Sequence, residues 1–150
     1  MESNSIFIQL EEDIKTSMKS RDKIKTSTLR MAKSEFKLFE INQKKILSDP
    51  EALNILQRMI KQRKESMSQF DDAGRKELAQ RESSEIKILQ KYLPKQLDEQ
   101  EVKQIISNEI AISKVTSKKD MGKVMLVLKD KLQGKADMAK VSQIVKNSLN

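Results

Sequence analysis

Gly122 and Gly134 are each followed by a lysine, Lys123 and Lys135, within the stretch KKDMGKVMLVLKDKLQGKADMAKVSQIVKNSL at residues 118–149. A Gly-Lys pair is one part of a phosphate-binding loop. A nucleotide loop of that kind needs several glycines before the lysine and a strand feeding it, so that successive N–H groups cradle the phosphates. Neither is present. Gly134 falls at the end of a helical pattern, where left-handed backbone geometry is needed. Gly122 falls inside the first turn of one and costs that helix about 1 kcal/mol against alanine. The expectation is that another helix, or a ligand backbone, approaches Gly122 closely.

The lysines carry more chemistry than the glycines. From Lys114 to Lys146 there are nine lysines and three acids. Lys118, Lys119, Lys123, Lys135 and Lys140 gather around two expected helix starts and the turn between them. A helix N-terminus offers free N–H groups and positive potential to a phosphate. Lysines beside such ends supply what contact with a sugar–phosphate backbone requires. The alternative is a solvated lysine face. No Phe, Tyr or Trp follows Tyr92, so this segment cannot stack bases as single-strand binders do. Its nucleic-acid partner would be a structured RNA, read through shape and phosphates. A second basic set, Arg58, Lys61, Arg63 and Lys64, forms a ridge on the polar face of an expected third helix.

Catalytic constellations are not evident. The chain has no cysteine and no histidine, which removes disulfides, thiolate chemistry and the commonest general base and metal ligand. Asp71-Asp72 precede Gly74 at an expected helix end and read as a solvated turn. Glu82 and Glu85 are expected to make surface pairs with Arg81 and Lys87. No catalytic residue, metal site or cofactor is therefore expected.

The elements that must position the lysines are helical. Aromatics make up 3% of the chain and charged residues 35%, so Leu, Ile, Val and Met must fill a thin core. Glycine and proline are scarce and strand-like alternation is absent. Four helices are expected in the first part, over about 6–19, 23–43, 50–73 and 75–92. Their inward residues are expected to be Phe7, Leu10, Ile14 and Met18, then Ile24, Thr28, Met31, Ala32, Phe36 and Phe39. Leu53, Leu56, Ile60, Met67 and Phe70 follow in the third, and Leu78, Ile86, Leu89 and Leu93 in the fourth. In SDPE at 48–51, Asp49 is expected to cap and Pro50 to open the third helix. Pro94 ends the fourth, and Tyr92 is expected at a domain junction. Asp98-x-x-Glu101 resembles a capping box. Three shorter helices follow, over about 99–112, 118–132 and 138–149. The sequence thus predicts an all-α chain with two helical subdomains, residues 1–94 and 95–150.

KKDMGKVM, a spacer and GKADMAKVSQIVKNSL resemble the signature of the GatB/YqeY domain family. The upstream segments MIKQRKES and EIKILQKYLPKQL resemble the amino-terminal part of stand-alone YqeY proteins. The resemblance implies an amino-terminal helical domain followed by a three-helix GatB/YqeY module. In that family the module also forms the tail of the B subunit of the glutamine-dependent tRNA amidotransferase, where it is thought to help hold tRNA. The chain matches that tail and not the catalytic part. GKADMAKV also lacks the Asn-Pro that often follows Gly-Lys-Ala in the B subunits, which fits a stand-alone member.

Three functions follow as expectations. The first is binding of tRNA or another structured RNA by the carboxy-terminal module. The second is a protein-interaction adaptor, docking through the third helix's basic ridge or through exposed Met and Leu. The third, implied by the resemblance alone, is an accessory role in carbon–nitrogen ligation with glutamine as amide donor. A net charge of +8 favours a polyanionic partner. No apolar run approaches a membrane span, and the acidic amino-terminal stretch suits neither a signal nor a transit peptide, so a cytoplasmic location is expected.

Overall fold

Side-chain caps decide where most of the helices begin. In the computed structural model, which describes residues 5–149, seven α-helices follow one another. They are α1 (Ser5–Lys19), α2 (Lys23–Gln43), α3 (Asp49–Asp72), α4 (Lys76–Gln90), α5 (Glu99–Ser113), α6 (Met121–Leu132) and α7 (Met138–Ser148). A short 3₁₀ turn, Lys118–Asp120, leads into α6. No strand forms among the described residues, so the fold is all-α, as expected. The chain divides into two compact units between Leu93 and Pro94, with α1–α4 in the first and α5–α7 in the second.

Asp22 caps α2 by accepting from the Lys25 N–H. At α3 the cap is Ser48, not Asp49. Ser48 and Glu51 form a reciprocal capping box, which satisfies two free donors at once. Asp49 is thereby released to serve another helix. Its carboxylate accepts from the Ile6 N–H at 2.9 Å and from the Ser5 hydroxyl, in the first turn of α1. α3 ends as expected at Gly74, with φ +73°. The Arg75 N–H reaches the Phe70 carbonyl and the Gly74 N–H the Asp71 carbonyl, a Schellman ending.

The first unit's core joins Leu10 of α1, Leu29 and Phe36 of α2, Leu56 of α3 and Leu89 of α4. Phe7 and Phe36 meet edge to face at 5.3 Å. Leu47, from the α2–α3 loop, is fully buried, and its N–H donates to the Glu40 carboxylate. Several expected core residues lie elsewhere. Met18, Ile24, Met31 and Leu78 are exposed, while Leu53 and Phe70 are only half-buried. Ser17 takes the inward place beside Met18. Its hydroxyl bonds the Ile14 carbonyl and the Thr26 hydroxyl, so a small polar group is satisfied where α1 meets α2. Leu29, Ile55 and Met59 are buried where the sequence pattern placed neighbours one residue away.

Tyr92, expected at a domain junction, packs its ring against the first unit's core, and its hydroxyl donates to Asp13 of α1. Burial, and then the Asp13 carboxylate, push the phenol's pKa upward.

The second unit packs Ile106 of α5, Val124, Leu128 and Leu132 of α6, and Val141 and Val145 of α7. Asp98 and Glu101 form the capping box of α5, and Asp137 caps α7 through the Ala139 N–H. Gly134 has φ +82°, the left-handed turn expected after α6. Gly122 contradicts the expectation of close helix packing. It is exposed, and a Cβ added there would meet nothing within 4 Å.

The two glycines should therefore respond in opposite ways. Gly134→Ala should lose about 1 kcal/mol or more in chemical denaturation, because alanine is strained at that φ. Gly122→Ala should gain up to about 1 kcal/mol from helix propensity, with Gly122→Val only a few tenths behind. A loss with valine at residue 122 would point to a neighbour that approaches it closely.

Candidate nucleic-acid interface

The lysine-rich face is built from two helix starts and one turn. Ser117 opens the first start, accepting from the Lys119 N–H at 3.3 Å. The 3₁₀ turn passes directly into α6, where the Met121 N–H bonds the Lys118 carbonyl. Lys118, Lys119 and Lys123 are exposed around this start, and Gly122 lies among them with no side chain to screen the backbone. Asp120 precedes α6 without a side-chain capping bond, so one carboxylate moderates the local positive potential.

The turn after α6 is braced from the beginning of the same unit. The N–H groups of Lys135 and Ala136 both bond the Leu132 carbonyl. The Gln96 amide donates to the Gly134 carbonyl. The Leu97 N–H donates to the Lys135 carbonyl at 3.0 Å. Lys135 and Lys140 are exposed on either side of the α7 start.

The five lysines fall into two groups, one at each helix start. α7 begins where α6 ends, so Lys135 and Lys140 sit near the far end of α6 from Lys118, Lys119 and Lys123. At 1.5 Å per residue α6 separates the groups by about 18 Å. Lys119 and Lys123 lie one turn apart, but Lys135 does not join them. None of these five lysines is held in an ion pair among the described residues.

Lys131 of α6 behaves differently. Its ammonium lies 2.8 Å from Glu109 of α5, a carboxylate that is nearly buried. The Lys131 contact, and next the Ser113 hydroxyl, lower the Glu109 pKa. Sequence reading missed Glu109. Its place in α5, three residues after Ile106 and seven after Val102, was the available signal.

The basic ridge on α3 is not brought together as a free surface. Arg58 is paired with Glu35 at 2.9 Å. Lys61 also has an interaction of its own. Arg63 is 13% exposed and lies 3.4 Å from Glu85, whose side chain is 8% exposed. Arg81 approaches the same carboxylate at 3.6 Å. Glu85 is therefore a core carboxylate, not a surface one as expected, and it pulls Arg63 inward. The neighbouring Glu82 has a raised pKa, first from burial and then from the negative charge of Glu85. Lys64 is exposed.

Among the described residues no group of His, Cys, Asp and Glu could hold a metal ion, and no helix is long and apolar enough to cross a membrane.

Residues 8–149 match the family model described as Yqey-like protein. The chain belongs to the YqeY-like protein family. It is 40% identical over 78 residues to an uncharacterized protein of Schizosaccharomyces pombe, covering 52% of this chain and 63% of that one. It is 34% identical over 84 residues to altered inheritance of mitochondria protein 41, mitochondrial, of Kluyveromyces lactis, covering 55% of this chain and 45% of the relative. The protein of the same name in Vanderwaltozyma polyspora is 35% identical over 88 residues, covering 58% and 48%. The matched stretch thus spans under two thirds of the first relative's length and about half of each of the other two. The names of the last two place those proteins in mitochondria.

Two consequences of these pairings can be measured. Arg63→Met should destabilise the YqeY-family chain by about 1 kcal/mol or more, because the buried Glu85 keeps only Arg81 as a charged partner. Lys64→Ala should stay within about 0.5 kcal/mol. Equal effects in urea denaturation would return Arg63 to the surface ridge. Glu109 gives a pH signature. Its folded-state pKa lies below the ordinary value of 4.5, so its stabilisation is present above that value and is lost as pH falls through the lowered one. Glu109→Gln should flatten the acid side of the stability–pH curve, and an unchanged curve would show that the pair contributes nothing to it.

Proposed function

We propose that the carboxy-terminal unit of this YqeY-family chain binds a structured RNA, foremost tRNA, through its phosphates. The observation that supports the reading is the set of five exposed lysines at the starts of α6 and α7, none held in an ion pair among the described residues. Each start adds the positive potential of a helix N-terminus, although Ser117 and Asp137 already take the Lys119 and Ala139 N–H groups. The two groups lie about 18 Å apart along α6. A folded RNA presents phosphates at that spacing without having to be ordered on binding. No aromatic side chain follows Tyr92, so base stacking is not part of the proposed contact.

tRNA occurs both in the cytoplasm, the location expected from the sequence, and in mitochondria, where the relatives' names place them. The proposed phosphate contacts are the same in either. An accessory role in amide transfer rests on the family resemblance.

The test is tRNA binding over a range of salt concentrations. Five phosphate contacts should give a log–log slope of roughly −3.5 to −4.5. Replacing Lys118, Lys119 and Lys123 with glutamine should flatten the slope by roughly 2–3. Replacing Lys135 and Lys140 should flatten it by a smaller step, and different tRNAs should weaken about equally, because phosphate contacts do not read bases. Unchanged affinity and slope in folded variants would overturn the proposal and leave the face merely solvated.

A further inference from the structure

α2 carries two apolar stripes, and the first unit buries only one of them. The buried stripe contains Leu29, Ala32 and Phe36. The other runs through Ile24, Met31 and Leu38 at seven-residue spacing, with Ile41 one turn beyond Leu38. All four are exposed, Leu38 by 51% and Ile41 by 70%. Ser27 and Ser34 lie on the same face, so the stripe alternates large apolar and small residues.

α1 makes one wall of a trough along this stripe. Two concavities lie end to end over α2, one from Lys23 to Ser34 and the other from Arg30 to Ile41, and both include Met18, Arg30 and Ser34. Together they follow α2 for five turns, about 27 Å. The cations along the trough are Arg21, Lys23, Arg30, Lys33 and Lys37, and no acid lines it among the described residues. Lys33 is paired with Glu11 at 3.1 Å and Lys37 lies over the Phe7 ring. Arg21, Lys23 and Arg30 have no ion pair among the described residues, and the Arg30 guanidinium rests against the Met18 sulfur.

We propose that this trough docks an amphipathic helix of a partner protein, one with an acidic flank. Apolar side chains spaced three and four residues apart would seat against Met18, Met31, Leu38 and Ile41. Carboxylates on the flank would pair with Lys23 and Arg30. The serines lower the floor between the apolar residues and let the incoming backbone come close. Methionine at two of the four apolar contacts suits a surface that must adapt to its ligand. The lining charge is of one sign, which selects an acidic helix over a basic one. No aromatic ring lines the trough to stack bases. Its concave form between two helices suits a rod-shaped ligand rather than a bilayer plane. The site lies in the first unit, so it is independent of the RNA reading for the second.

The test uses the full chain and a synthetic helical peptide of about 18 residues, with leucine on one face and glutamate on the other. Controls are a scrambled peptide of the same composition, a lysine version, tRNA, and vesicles of phosphatidylglycerol and phosphatidylcholine. The acidic amphipathic peptide should bind saturably and shift the methyl resonances of Met18 and Met31, leaving Met125 and Met138 unmoved. Leu38→Asp with Ile41→Asp should weaken it at least about tenfold, a change of about 1.4 kcal/mol. Lys23→Glu with Arg30→Glu should turn the preference toward the lysine peptide. These side chains are exposed, and circular dichroism should confirm that both variants stay folded. No saturable binding, equal binding of the scrambled peptide, or movement of the same methyls by tRNA or vesicles alone would overturn the proposal.

Discussion

The left-handed turn at Gly134 is the constraint on which the second unit depends. A residue at φ +82° reverses the chain between α6 and α7 in the space of a few residues. Leu132 and Ala136 are buried on either side of it, so the turn belongs to the core. Gln96 and Leu97 bond its carbonyls, which ties the first residues of the unit to the far end of α6. Because the reversal is tight, α7 starts where α6 stops. The two helix starts that carry the lysines are then a helix length apart.

Buried carboxylates decide which cations remain available. Glu85 on α4 and Glu109 on α5 both lie in positions with little access to water. A carboxylate there needs a charged partner, since the cost of leaving it unpaired exceeds that of ordering a long side chain. Glu85 draws in Arg63 and Arg81, and Glu109 draws in Lys131. Arg63 is thereby removed from the α3 surface, and Lys131, still half exposed, is held in a pair with Glu109. The remaining basic surface follows from where the acids are buried as much as from where the lysines are.

The two units carry different surfaces. The second unit offers exposed lysines at helix starts and no aromatic platform. The first offers an apolar trough edged by cations. α2 supports both the core and the trough because its 21 residues are long enough to repeat two stripes. The capping box at Ser48 and the reuse of Asp49 by α1 hold α1 and α3 in place at one end of this unit, while Tyr92 and Asp13 tie the segment after α4 to α1.

The sequence by itself determined the helical class, most helix starts and the two glycine-marked stops. These depend on residues within one turn of each other: Asp22 with Lys25, Asp98 with Glu101, Gly74 with Asp71. Such contacts form whatever the rest of the chain does. The family was legible for a related reason, because its motifs keep fixed local spacing. Only the tertiary structure decided the rest. The sequence pattern placed helix ends near Lys19, Gln43 and Ser113, but gave no sign that Arg21, Lys44 and Lys114 would take the left-handed conformation there. The choice between Met18 and Ser17 for the core depended on Thr26, and the role of Asp49 on Ser5 and Ile6. The fates of Arg63 and Lys131 depended on carboxylates in other helices, and the separation of Lys119 from Lys135 on the path of the whole second unit. Helical periodicity fixes a stripe only to within a residue or so, and the packing of neighbouring helices selects the phase that excludes most water while leaving no buried charge alone.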